Sequence, residues 1–420
     1  MGIRDFSKVI KRELEELRQE LIEEERRRIE KLRAKRAKRA AEEEESEEDS
    51  EDSYIEIDMS QWDPVESYSS KMFKGKRIAI DMGNFMYVCY YEAMGYVIGE
   101  MGDEVLERDP TPDEILPFWV QVSVKNLKNW LRAGIVPVLV WDGPPPEEKK
   151  DTRSKRAEEA QKRQLKIDSL RKEIEEYGSS TDRCNKLTAA MKSNNLIDRG
   201  ISEIYEEIIS ALGIPSMKSL MEADQLCTSL CGCEELGWYG KYVEGIYSRD
   251  SDLILGCPVL IKEAKPTKSR RTMTFTCLIK TKLLELLELD SGELLELCIT
   301  LGCDYNERIR LIGPVKAMKL IRDHECIANF PERINTECLN EEACKRLFAY
   351  RNWEDVTDFD SVATRVLDFE PTWNDNLSEV LESYDIRIDM EELYKIFVKM
   401  GYVREEDYDS GAPPALKIEE

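Results

Sequence analysis

The chain has 420 residues, 41% of them hydrophobic and 35% charged, so a core of ordinary size is diluted by strongly polar segments. Its formal charge of −25 would argue against nucleic-acid binding if the charge were evenly spread, and it is not. Twelve irregularly spaced cysteines suit reduced thiols better than a disulfide framework, and a single histidine, His324, excludes zinc sites built on two histidines. Hydrolases that need a histidine base are disfavoured for the same reason. Carboxylates, lysine, arginine and metal ions remain as chemical tools.

The start MGIRDFSKVI brings charge before any apolar run, unlike a secretory leader, and no long apolar stretch reads as a membrane span. A soluble intracellular protein is expected. Residues 7–40 form one long charged helical pattern, in which Ile10, Leu14, Leu17 and Leu21 keep a three/four spacing before the phase slips to Ile22, Ile29 and Leu32. The slip favours a solvated single helix laced by i,i+4 Glu–Arg pairs over a coiled coil. Its stretch RRRIEKLRAKRAKR has the composition of a nuclear-import or phosphate-binding patch. From Glu42 to Asp52 nine of eleven residues are acidic and two are serine, which predicts disorder. Tyr54 to Ser70 reads as a linker.

A folded domain follows. RIAID (77–81), VPVLVWD (136–142) and VEGIYSRDSD (243–252) are short apolar runs that end in aspartate, separated by helical patterns. This alternation predicts an α/β fold, a mostly parallel twisted sheet with helices on both faces. In such folds ligands bind outside the carboxyl ends of the strands, where these aspartates fall. Two windows are basic against the overall trend: Lys149 to Lys172 has ten basic and four acidic residues, and Lys262 to Lys282 has seven and one. Such patches steer polyanions. Cys227, Cys231 and Cys233 lie in a helical pattern and lack a fourth ligand at zinc spacing. The tail from Asn335 to Arg404 is helical, and its Trp353, Trp373, Tyr384 and Tyr394 read as core packing.

Seven acids carry the chemical signal: Asp81, Asp142, Glu222, Asp224, Asp250, Asp252 and Asp304. Two D/E-x-D pairs, in MEAD (221–224) and SRDSD (248–252), can each aim two carboxylates at one space. So many carboxylates together raise one another's pKa values unless divalent ions neutralise them. Mg²⁺ or Mn²⁺ held by a few carboxylates, waters and a phosphate suits this set. Two such ions activate water and stabilise the leaving oxygen of a phosphodiester.

The ordered motifs MGI, AIDMGNFMY, VWDGPPPEEKKDTRSKR, GIPSMKSLMEADQLC, SRDSDLILG and LGCDYNERIRLIGPVKA resemble the structure-specific 5′ nucleases of the flap endonuclease type, with their excision-repair and exonuclease relatives. The resemblance covers residues 1–6 and about 73–325. It implies a PIN-like nuclease fold and two Mg²⁺ ions per active site, with Mn²⁺ as a substitute. Asp81, Asp142, Glu222 and Asp224 match acids serving the first ion, and Asp250, Asp252 and Asp304 those serving the second. Lys149 and Arg156 match the basic pair at the base of a helical arch that stabilises the scissile phosphate. Gly2 matches the amino-terminal glycine beside the active site. Ile309 to Lys316, with Gly313 and Lys316, resembles the hairpin of a helix–hairpin–helix module that binds a duplex phosphate, often with a monovalent cation. The implied division is an amino-terminal motif (1–10), a charged insertion (11–70), a nuclease core (71–290) with its arch (149–212), the hairpin module (291–330) and a helical extension (331–420).

The implied partner is DNA with a 5′ flap or junction, cut to leave 5′-phosphate and 3′-hydroxyl ends in the nucleus or at another intracellular site of replication, such as a viral one. A 5′–3′ exonuclease, a junction resolvase, an RNA-directed nuclease and a non-catalytic DNA-binding scaffold are the alternatives. The chain departs from the family pattern in four places. Asp224 stands where relatives usually have Glu, and Leu311 where they prefer Gly, a position at which a positive φ would strain leucine. The 11–70 segment separates MGI from the first strand, and the tail SGAPPALKIEE carries no sliding-clamp motif.

Overall fold

The structure is a computed structural model that describes residues 3–43, 58–232, 243–269, 272–349 and 375–401, without the side chains of 32–43 and 375–377. The chain forms two compact units, Ser67–Cys277 with Glu342–Glu420, and Gly2–Glu66 with Leu278–Glu341.

The strands are β1 (Val65–Ser69), β2 (Arg77–Asp81), β3 (Val136–Trp141), β4 (Ser216–Lys218), β5 (Ile246–Tyr247), β6 (Val259–Pro266) and β7 (Met273–Ile279). They form one seven-stranded sheet in the order β1-β7-β6-β5-β2-β3-β4. The pairs β2–β3, β2–β5, β3–β4 and β5–β6 are parallel, with Asp81 opposite Val140 and Ile80 opposite Tyr247. Ile78, Ala79 and Ile80 of β2 and Val138, Leu139 and Val140 of β3 are fully buried, as expected for strands covered on both faces. The chain leaves β2 toward β3 and leaves β5 toward β6 in the opposite direction. The topology therefore reverses between β2 and β5, where open parallel sheets form their ligand crevice.

In the first unit α2 (Met82–Met101) packs on α3 (Pro112–Arg132). Thr111 and Glu114 close a capping box at the start of α3, satisfying amides the first turn would leave bare. The basic window becomes α4 (Lys150–Tyr177), which buries only Ile167, Leu170 and Ile174 and packs on α5 (Thr181–Lys192). The next helix, α6 (Arg199–Ser210), packs on α3: its Tyr205 ring stacks on Trp119 at 3.9 Å, and its hydroxyl bonds Ser123 Oγ at 2.7 Å. α7 (Ala223–Gly232) carries Cys227 and Cys231 as buried apolar residues; Cys233 lies outside the described residues. All eleven described cysteines are free thiols. In the extension, Leu381, Leu393, Ile396 and Phe397 are buried, and the helix Met390–Lys399 packs on α3. Trp353 and Trp373 lie outside the described residues.

In the second unit α1 (Phe6–Glu43) packs on α8 (Lys280–Leu287) and α10 (Pro314–His324), and α10 packs on α9 (Ser291–Leu301). Two sequence expectations need correction. The charged helix is not solvated throughout, because Phe6, Val9, Ile10 and Glu13 are buried in its first two turns. The linker from Tyr54 to Ser70 ends in ordered structure, because Val65–Ser69 is β1. The acidic run enters α1 as far as Glu43, and its remainder lies outside the described residues. Among the described residues no helix is long and apolar enough to cross a membrane.

Candidate active site

The site in the first unit is built on three strand ends. Asp81 ends β2 and caps α2, its Oδ1 accepting the Asn84 amide at 3.2 Å. This helix-cap role is the ordinary use of an aspartate at such a position. Its Oδ2 accepts a 2.7 Å hydrogen bond from Ser248, a fully buried residue just after β5. The Ser248 hydroxyl also accepts the Asp250 amide at 3.0 Å, and Asp250 Oδ1 accepts the Asp252 amide at 3.2 Å. One hydroxyl thus ties the end of β2 to the SRDSD loop across the reversal of topology.

Asp142 follows β3 and accepts the Ala223 amide, at the start of α7, at 2.8 Å. The D-G step explains how. Gly143 donates its amide to Met221 O at 2.5 Å. A Cβ on Gly143 would overlap the Ser219 carbonyl and lie 2.6 Å from Met221 O, so only glycine lets these backbones meet. Gly83 serves the same end for side chains. A Cβ there would lie 2.7 Å from Asp142 Oδ2 and 3.4 Å from Asp81 Oδ1, so its absence leaves room for both carboxylates.

Glu222 is buried and accepts Lys149 Nζ at 2.5 Å. Lys149 closes a short 3₁₀ turn, Glu147–Lys149, just ahead of α4. Arg156 is half-buried on the second turn of α4.

The electrostatics show how tightly the acids are grouped. Burial, and next the Asp142 charge, push the Asp81 carboxyl up to about 7, against the bonds from Ser248 and Asn84. Asp224 is pushed well above the carboxylate range by burial and then by Asp250 and Asp81, with Lys149 opposing. Burial lowers the Lys262 pKa against the pull of Asp250 and Asp252, and its ammonium donates to the Arg249 carbonyl. Asp81, Asp142, Asp224 and Asp250 therefore act on one another, with Lys149 and Lys262 as nearby cations.

Among the described residues no three acid, histidine or cysteine side chains stand close enough to hold an ion by themselves. The donor set nevertheless fits a hard divalent cation. It consists of anionic oxygens whose mutual repulsion raises their proton affinity, and Mg²⁺ characteristically keeps water in most of its positions.

Asp304 is buried on the loop after α9 in the second unit. That loop ends at Gly313, the N-cap of α10, and in the first turn of α10 Lys316 Nζ donates back to Leu311 O at 3.2 Å. Leu311 adopts φ +65° and is 82% exposed, so the strain expected from the sequence is present. Buried Asn306 holds the loop, accepting the Cys303 amide at 2.7 Å and donating to Ile299 O at 2.9 Å and Leu339 O at 2.8 Å. Gly2 lies outside the described residues. Gly83, Ser248 and Lys262 contribute to the acid cluster without having been singled out in the sequence. Only Gly83, in the step D-M-G after a strand, left a signal there.

Residues 53–163 match the family model described as the XPG N-terminal domain, and residues 213–304 match the XPG I-region. Flap endonuclease 1 of Glycine max is 31% identical over 269 residues, covering 63% of this chain and 63% of that protein. Flap endonuclease 1 of Encephalitozoon cuniculi is 30% identical over 270 residues, covering 63% of this chain and 68% of that protein. The chain thus spans less than two thirds of the Glycine max protein. A solved flap endonuclease-1 from Methanococcus jannaschii aligns with 81% of this chain and 95% of that chain at 17% identity and a TM-score of 0.44. By its two matched regions and its identity to these relatives, the chain belongs to the flap endonuclease family.

Proposed function

We propose that the chain is a divalent-metal-dependent, structure-specific 5′ nuclease that cleaves DNA phosphodiesters at flaps or single-strand/double-strand junctions in replication or repair. The observation that carries this reading is the carboxylate cluster at the ends of β2, β3 and β5, where burial and mutual repulsion hold Asp81 near 7. Such a cluster is unfavourable for folding and needs a cationic ligand to justify it.

Asp81, Asp142, Glu222 and Asp224 would hold one Mg²⁺, and Asp250 and Asp252 would serve a second, with Mn²⁺ as a substitute. The ions would supply Lewis acidity for a water nucleophile and a departing oxygen. Hydrolysis adds water to phosphorus and breaks the bond to the 3′ oxygen, which leaves as a hydroxyl while the phosphate stays on the 5′ end. Lys149 and Arg156 place positive charge at the foot of α4, where negative charge develops on the phosphate oxygens. The α4–α5 pair is assigned to the single-stranded 5′ end. The hairpin, with Gly313 and Lys316, is assigned to the duplex backbone, contacts that position DNA without reading its sequence. Gly2 is assigned to DNA near the cut. The division into a core (71–290), hairpin module (291–330) and extension (331–420) follows from these roles. The site of action would be the nucleus or another place of DNA replication.

The test is cleavage of a 5′-labelled DNA flap by the full chain with Mg²⁺, beside Asp250→Ala and an EDTA control. A discrete junction product, lost in both controls, is expected. Binding of the flap without any cut in Mg²⁺ or Mn²⁺ would overturn the assignment of an enzyme.

A further inference from the structure

The nuclease reading gives no task to residues 26–39, RRRIEKLRAKRAKR, nine basic and one acidic in a chain of charge −25. They lie inside α1, which remains helical to Glu43. No described side chain of α1 beyond Glu13 is buried, and Arg26, Arg27, Arg28 and Lys31 are exposed. Arg27 and Arg28 pair with Glu23 and Glu25 at 3.3 and 3.5 Å, contacts that hold little at a solvated surface. Farther along, Lys35 and Arg36 have no acid within four residues on either side.

We propose that this half of α1 is a second binding surface for the phosphates of duplex DNA. At about 100° per residue, the nine basic positions are spread around the helix axis, and Ile29 and Leu32, three residues apart on one side, are too few to make an apolar face. A lipid surface would require an apolar face, so the chemistry selects a polyanion whose charges lie on its outside. Duplex rather than single strand is indicated by where the helix is rooted. Arg4 N donates to Gly302 O at 3.0 Å, Arg308 pairs with Asp5 at 2.8 Å, and Arg322 pairs with Glu13 at 2.9 Å. The arm therefore stands on the helix–hairpin–helix module that the proposed function assigns to the duplex, and the inference rests on that assignment. At 1.5 Å per residue the basic stretch begins about 20 Å beyond Glu13 and ends about 39 Å beyond it, a reach comparable to one duplex turn.

The experiment compares the full chain with an Arg33→Gln, Lys35→Gln, Arg36→Gln, Lys38→Gln variant, binding a fluorescent DNA duplex in EDTA across a salt series. Glutamine keeps helix propensity, and circular dichroism checks that it does. The dependence of log affinity on log salt is expected to flatten by about 3–4 in the variant. An unchanged slope and affinity would overturn the arm. So would preferential binding of the natural chain to phosphatidylserine vesicles, lost in the same variant. Arm-dependent duplex binding with no flap cleavage would leave the arm standing and remove the nuclease reading. Failure of the natural chain to bind duplex at all would remove both.

Discussion

Asp81 shows how far a single residue can be set against the fold that carries it. An unfolded aspartate ionises near 3.8, while the folded one does so near 7. Between these values the folded chain binds the extra proton, so without metal its stability falls as pH rises from about 4 through 7 and levels off above. Asp81→Asn is expected to stabilise the metal-free chain by a few kcal/mol at pH 8 and by less than half as much at pH 5, while abolishing cleavage. Urea denaturation in EDTA at the two pH values measures the first effect and the flap assay the second. Leu311 is strained in another way: its positive φ costs roughly 1–2 kcal/mol, and its exposed side chain recovers nothing from packing. Leu311→Asn, a residue that tolerates this conformation, is expected to raise stability by about 1 kcal/mol in the same assay. The acids that act on one another, Asp81, Asp142, Asp224 and Asp250, were legible in the sequence because each stands beside a strand or helix signal. Ser248 was not, since a serine between a tyrosine and an arginine becomes informative only when two strand ends meet.

Among the elements, the helix Met390–Lys399 adds ion pairs at one carboxylate to the packing of its buried Leu393, Ile396 and Phe397. Glu392 accepts Lys128 Nζ at 2.7 Å and also pairs with Arg132, and Lys128 is only 7% exposed. Lys128 holds the Glu392 carboxyl below its usual range, so this contribution is present at neutral pH and is lost as pH falls through the lowered value. Glu392→Ala is expected to cost about 1–2 kcal/mol, because a nearly buried ammonium loses its charged partner and keeps only the Asp389 carbonyl at 3.4 Å. Thermal unfolding followed by circular dichroism checks it. The strands around the site were legible as apolar runs, and α1, α3 and α4 as helices. The shortness of β5 was not, because only Ile246 and Tyr247 find partners before the chain turns to place Ser248 and Asp250. Nor was the ordering of Val65–Ser69, whose strand partners come from far along the chain.

Across the whole molecule, charge is sorted rather than averaged. A basic helical stretch at 26–39 is followed directly by the nine acids of 42–52 in a chain whose net charge is −25. Nine negative charges tethered next to the cations compete with any phosphate for them. Deleting residues 44–52 is expected to tighten duplex binding several-fold at low salt and to have no effect once screening is strong, as anisotropy titrations would show. The site lies where the sheet reverses its winding, and the alternation of strands and helices was enough to point there. The backbone contact of Gly143 with Met221 lies beyond what a linear pattern can specify, because it joins segments almost eighty residues apart. The cap on α2 has one more consequence. The Asn84 amide rests on one oxygen of the carboxylate that Asp81 would offer to a cation or a proton, so its hydrogen–deuterium exchange is a built-in gauge of what the carboxylate is holding. Protection there should change with each ligand of the cluster, giving an occupancy readout that requires neither substrate nor turnover.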